Sequence, residues 1–135
     1  MTHRREHYEQ LILDYFRAVD EERIDDVVAC FEQDATIRFA FHAEPVRGHD
    51  ALRAFFTAHV ERFAEHVDRV TRILVDGDLA ISELVFDATT TDGRPVHLEN
   101  CNVYRFRNGR FHDVRVHLDT VTMGRQLGAE PDPAG

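Results

Sequence analysis

Four side chains in this sequence have the chemistry for moving a proton: Tyr15, His66, Glu83 and Asn102. A carboxylate beside an imidazole, held in an apolar pocket, is what proton transfer next to a carbonyl requires. The phenol and the amide are hydrogen-bond donors for charge that develops on a reacting oxygen. His59 and His66 are seven residues apart, two helical turns, on the stripe defined by Leu52, Phe56 and Phe63. A core helix rarely gives two such positions to histidine unless they meet water, a ligand or polar partners. Each residue also has a plain structural role open to it. Tyr15 can be a core residue whose hydroxyl reaches the backbone. Glu83 is simply solvated if the strand register places it outward.

The walls of such a pocket are written in "TIRFAFHAEP", residues 36–45, whose alternation puts Ile37, Phe39 and Phe41 on one side of a strand. These three belong either to the core or to the floor of a pocket.

The elements that must position these groups follow from periodicity. Residues 3–20 carry Leu11, Ile12, Tyr15, Phe16 and Val19 at helical spacing. A short second helix has Ile24, Val27, Val28 and Phe31 as its stripe. A strand over 35–41 and the connection "EPVRGHDALRAFF" lead into a third helix, 50–67. The period then changes from 3.6 to 2. Strands are expected over 69–75, 79–91, 94–107 and 110–119, separated by the turn signals "DGD", "TDGR" and "RNGR". Helices followed by an antiparallel meander make an α+β domain over residues 1–123. The segment 124–135, rich in Gly, Pro and small residues, reads as a disordered tail.

Register decides which face is inside. At "RNGR" a three-residue loop with a left-handed Gly109 sets Asn102 opposite Val114 and Asn100 opposite Val116. The two amides then share an apolar face, and His97, Glu99, Asp113, Arg115 and His117 share the other. At "TDGR" a two-residue turn on Asp92-Gly93 sets Glu83 opposite Asn102 and Val85 opposite Asn100. The helix-covered face would then carry Glu83, Asn100 and Asn102. The outer face, with Leu84, Phe86, Cys101 and Val103 near His97 and Glu99, would suit a partner subunit.

Composition narrows the classes. The chain has 135 residues, 43% hydrophobic and 30% charged, the size and balance of one globular domain. Its formal charge of -9 argues against nucleic acid as a partner. Every basic side chain is Arg, a coding bias that suggests a bacterial source. Cys30 and Cys101 are far apart and form no CxxC, so neither a disulfide framework nor a thiolate metal site is expected. The nine histidines form no HxH or HExxH, and no metal is expected. There is no phosphate-binding glycine loop, and no cofactor is expected. With no apolar leader or membrane-length segment, a cytoplasmic protein without membrane contact is the expectation.

From Tyr15 to about Asp119 the chain resembles the nuclear transport factor 2-like superfamily, in its SnoaL-like and ketosteroid-isomerase-like branch. The stretches "YFRAVDEERIDDVVACFEQDATI", "PVRGHDALRAFF", "RILVDGDLAI" and "VYRFRNGRFHDVRVHLDT" carry the resemblance. It implies a curved antiparallel sheet forming a cone, closed by three N-terminal helices over a pocket, and a homodimer joined through the outer sheet face. Ketosteroid isomerases use a carboxylate base with an oxyanion hole built from a tyrosine and a protonated aspartate. The resemblance matches Tyr15 to that tyrosine and Asn102 to that aspartate, but puts Phe39 at the base position. The Asp-Arg-Asp set of limonene-epoxide-hydrolase relatives falls on Val85, Glu83 and Val116 and is absent. Scytalone-dehydratase relatives have a histidine and an aspartate that match His66 and Asp20, but their first-strand tyrosine is again Phe39.

These readings together describe a pocket for a small apolar organic ligand, walled by Phe39, Phe41, Phe56, His59, Val85, Asn100 and Val116. Its expected chemistry is isomerase, lyase or cyclase proton transfer on a polyketide- or terpenoid-like substrate. His66 or Glu83 is the base, and Tyr15 and Asn102 are the donors. The alternative is a ligand-binding or accessory module without chemistry.

Overall fold

The computed structural model describes residues 2–128. Helix α1 (Thr2–Asp20) and the short α2 (Ile24–Ala29) precede strand β1 (Phe31–Phe39) and a two-residue strand β2 (Val46–Arg47). Helix α3 (His49–Glu61) is followed by four long strands: β3 (Phe63–Asp76), β4 (Leu79–Thr90), β5 (Pro95–Arg107) and β6 (Arg110–His117). A last helix, α4 (Thr120–Gln126), ends the described chain. One curved, unclosed sheet holds all six strands in the order β2-β1-β6-β5-β4-β3, with β1 parallel to β6 and every other pair antiparallel. This is the expected α+β cone with its helices on the concave side.

The core lies between those helices and the sheet. Ile12, Val27, Val28, Leu52 and Phe56 from the helices meet Phe31, Ile37, Tyr104, Phe111 and Val114 from the strands, all fully buried. Burying each such side chain contributes roughly 1.5–3 kcal/mol. Tyr15 sits edge-on to Phe31, Phe56 and Phe111, with ring centroids 5.8, 5.9 and 5.4 Å away.

Three expectations change. First, the third helix stops at Glu61, so His66 lies on a strand and not on the α3 stripe. Second, the two hairpin loops exchange lengths. Asn108 and Gly109 both have positive φ (54° and 75°), as a two-residue primed turn requires. A bulge at His112 then restores parity, so Asn102 pairs with Val116 and not with Val114. The amides stay on the concave face. The β4–β5 connection uses three residues, Thr91 to Gly93, and Gly93 takes φ 90°. Glu83 therefore pairs with Cys101, and every β4 side chain turns over relative to the expectation. Ser82, Leu84 and Phe86 face the core, while Glu83 and Val85 face outward.

Third, the segment from 124 to 128 is not a tail. Asp119 caps α4 by accepting from the backbone N–H groups of Val121 and Thr122. Met123 and Leu127 then pack on a satellite cluster of Phe63, Phe86, Val96 and Leu98. Gln126 fastens the helix to β5 through two hydrogen bonds to the His97 backbone. Residues 129–135 lie outside the described residues.

Candidate functional site

Because the sheet curves, α1 and α3 cannot contact it along its whole length, and a cavity of about 70 Å³ remains. Its wall is mainly aromatic and aliphatic. Phe39 comes from the end of β1 and Phe56 from α3; Leu84 and Phe86 come from β4, Leu98 from β5 and Val116 from β6. Phe41, 42% exposed, and the α4 residues Met123 and Leu127 mark its open side. The polar members are Tyr15, His59, Arg62, Asp68, Asn100 and Asn102.

Asp68 is the principal group that sequence reasoning missed. It stands on the inner side of β3, and its backbone N–H donates to Asp20 Oδ1 at 2.9 Å. The two carboxyls are also close enough for each to shift the other. Burial pushes the Asp68 carboxyl well above the usual carboxylate range, and the Asp20 charge and hydrogen bond push it further. Burial also raises Asp20; its hydrogen bonds with Asp68 and the charge of His66 act against that rise. Two full negative charges at such close range would repel, which favours a single proton on the pair, with Asp68 the more strongly raised member.

The other polar groups surround this acid. Burial, reinforced by the charges of His66 and Arg62, lowers His59 to about 4, so its imidazole is neutral at pH 7. Its ring lies among Phe55, Phe63 and Phe86, with centroids 6.0, 5.5 and 6.0 Å away. Burial pushes the Tyr15 hydroxyl well above the usual phenol value, which keeps it a proton-bearing donor. Among the described residues, the buried Oδ1 atoms of Asn100 and Asn102 find no partner. Leaving such an acceptor dry costs on the order of 1–3 kcal/mol, so these amides call for water or a ligand donor.

Several expected members stand elsewhere. Glu83 is exposed on the outer face, where Arg72 Nε reaches Glu83 Oε1 at 3.4 Å. It does not meet His66 or Asn102, because the three-residue loop at Gly93 reversed its strand. Val85 is turned outward with it. His66 is buried, its side chain 3% exposed, but it does not line the cavity. Its Nε2 lies 2.9 Å from Glu22 Oε1, and its charge acts on Asp20. Glu22 reaches it from a left-handed backbone conformation, φ 57°. Phe39, Phe41, Phe56, His59, Tyr15, Asn100, Asn102 and Val116 line the cavity.

One cluster could suggest a metal. Ligand atoms of Glu32, Asp34 and His112 lie within 4.8 Å of one another. The Arg107 guanidinium donates to both carboxylates, at 2.5 and 2.7 Å, and already neutralises most of their charge.

Comparison with known proteins agrees with the fold. The family model of the SnoaL-like domain matches residues 12–114. An NTF2-like protein of unknown function from Burkholderia pseudomallei K96243 superposes with a TM-score of 0.83 at 22% identity, over 90% of this chain and 97% of that one. A putative SnoaL-like polyketide cyclase from Jannaschia sp. CCS1 gives 0.81 at 15% identity, over 93% and 94%. SalBIII, an epoxide hydrolase/cyclase-like enzyme of pyran ring formation in polyether salinomycin, gives 0.76 at 21% identity, over 88% and 95%. No curated protein matches the sequence.

Proposed function

Because the chain belongs to the SnoaL-like domain family, we propose that its cavity binds a small, largely apolar organic molecule and moves protons on it. On this reading the protein is an isomerase, cyclase or lyase, and its substrate is polyketide- or terpenoid-like. The observation that carries the reading is Asp68, a carboxyl kept protonated at the edge of an aromatic cavity. A neutral carboxylic acid there can give its proton to a carbonyl, hydroxyl or ether oxygen of the ligand and take one back from the product. Tyr15 and Asn102 steady the ligand oxygens, and neutral His59 offers an acceptor. The apolar wall of Phe39, Phe41, Phe56 and Val116 excludes bulk water and strengthens each of these interactions. His66 and Glu83 do not line the cavity and have no direct part in the site.

Outside the cavity, Leu74, Ile81 and Val103 form a row across β3, β4 and β5 on the outer face. Leu74 is 59% exposed. That row supports a homodimer joined through the sheet. Both cysteines are free, which fits a reducing compartment, and we place the reaction in the cytoplasm.

The test is a screen of cyclic ketones, enones and epoxides, by binding and by product analysis, against the wild type and Asp68→Asn. A converted ligand should lose at least about 100-fold in rate in the variant while still binding. Ligands that bind the wild type without any conversion would instead identify a binding module.

A further inference from the structure

Asp20 does not line the cavity and so does not touch a ligand there. It accepts a 2.9 Å hydrogen bond from the Asp68 backbone N–H, and its charge acts on the Asp68 carboxyl. Asp20 ends α1, whereas Asp68 lies on β3, 48 residues further along the chain. The fold therefore spends a long-range contact on placing one carboxyl directly behind another. We propose that Asp20 is a positioning residue for Asp68: it fixes the direction of the Asp68 side chain and shares one proton with it, so that the pair presents an acid, not a carboxylate, to the cavity. The inference rests on the reading of Asp68 as the acid of the site.

The surroundings leave this work to Asp20. The charged and titratable groups around the pair are Tyr15 on α1, Glu21 and Glu22 in the turn after it, and His59 and Arg62 at the end of α3. His66 on β3 and Tyr104 on β5 complete the set. Tyr15 and Tyr104 are buried phenols held neutral, and His59 is a neutral imidazole at pH 7. His66 and Arg62 are the cationic or potentially cationic members; His66 is engaged by Glu22, and its charge pulls on Asp20. Among the described residues, Asp20 is the anionic group whose charge raises the Asp68 carboxyl.

The experiment is a carboxyl-carbon NMR titration of the labelled, ligand-free protein, with Asp68→Asn identifying the Asp68 signal. Asp20→Asn keeps an oxygen to accept the Asp68 N–H and removes only the charge and the shared proton. Its expected effect is to move the Asp68 midpoint down by about one pH unit or more, a tenfold change or larger in proton affinity. Glu22→Gln should leave the midpoint in place. An unchanged midpoint in Asp20→Asn overturns the proposal. Should that variant not fold, the wild type decides: a proton-sharing pair titrates in two well-separated steps, and two coincident steps overturn it. The two readings fail separately. A shared-proton titration in a protein that converts no ligand would sink the catalytic reading and leave the pair standing. Loss of turnover in Asp68→Asn with no response to Asp20→Asn would do the reverse.

Discussion

Ser82 Oγ and Tyr104 Oη are 2.6 Å apart in the most buried part of the sheet, where β4 meets β5. Asn102, two residues before Tyr104 on the same face, lies close enough to that phenol to act against the rise that burial causes. This network fixes the strand carrying both orphaned amides, Asn100 and Asn102, so the cavity's polar floor depends on it. Tyr104→Phe leaves Ser82 with a buried, unsatisfied hydroxyl. A loss of about 1–3 kcal/mol is expected in urea unfolding, with the cooperativity of the transition retained.

His59 makes the protein sensitive to mild acid. Its folded value of about 4 lies below the ordinary histidine value near 6.5. The unfolded chain therefore takes up a proton that the folded chain refuses as pH falls from about 6.5 to about 4. Stability from this group is complete above that window and is lost through it, by about 3 kcal/mol at most. His59→Gln should remove this part of the acid loss, which unfolding curves at pH 7 and pH 4.5 would show.

Asp68 works in the opposite direction. Its folded carboxyl stays protonated above the ordinary value, so above about pH 4 the folded state holds a proton that the unfolded state has lost. Stability from this group is present below the unfolded value and declines as pH rises toward the raised folded one. The slope is at most about 1.4 kcal/mol per pH unit. In Asp68→Asn the decline toward alkaline pH should flatten, and an unaltered slope would show that Asp68 ionises normally.

Much of this arrangement was legible because burial enforces parity. Asn100, Asn102 and Val116 share one concave face in the expected register as in the observed one, since the two-residue turn and the one-residue bulge at His112 together displace the pairing by two positions. The opposite held for β4, where a single extra loop residue at Thr91 to Gly93 reversed Glu83 and Val85. Loop length cannot be read from "TDGR" alone, because Gly93 suits either turn. Asp68 was hidden by the boundary between α3 and β3. Phe63 fits both the helical stripe and the first strand position, and continuing the helix past it concealed that His66 and Asp68 alternate on one strand face. Asp20 was noticed only through a resemblance, since its partner lies 48 residues away.

Glu83 supplies a prediction of no effect. Its carboxylate and the Arg72 guanidinium are both mostly exposed, and exposed pairs contribute little. Glu83→Gln should change stability by less than about 0.5 kcal/mol and leave ligand affinity and turnover as they were. A large loss of turnover would mean that the outer face takes part in the reaction.

The outer face offers a sharper test of association. Leu74 stands directly opposite Ile81, and Ile81 opposite Val103, so three apolar side chains from three strands abut in one row. Arg115 stands next to Val103 and ends the row on the β6 side. A charge placed in the middle of this row would have to be desolvated without a partner in any dimer that covers it, a cost that exceeds what a rim contact contributes. Ile81→Glu should therefore convert the dimer to a monomer in light scattering at micromolar concentration. The concave core should remain folded, because Ile81 contributes nothing to it. If the wild type itself is monomeric across the concentration range, the sheet face is not a self-association surface. The apolar row would then be an ordinary exposed patch.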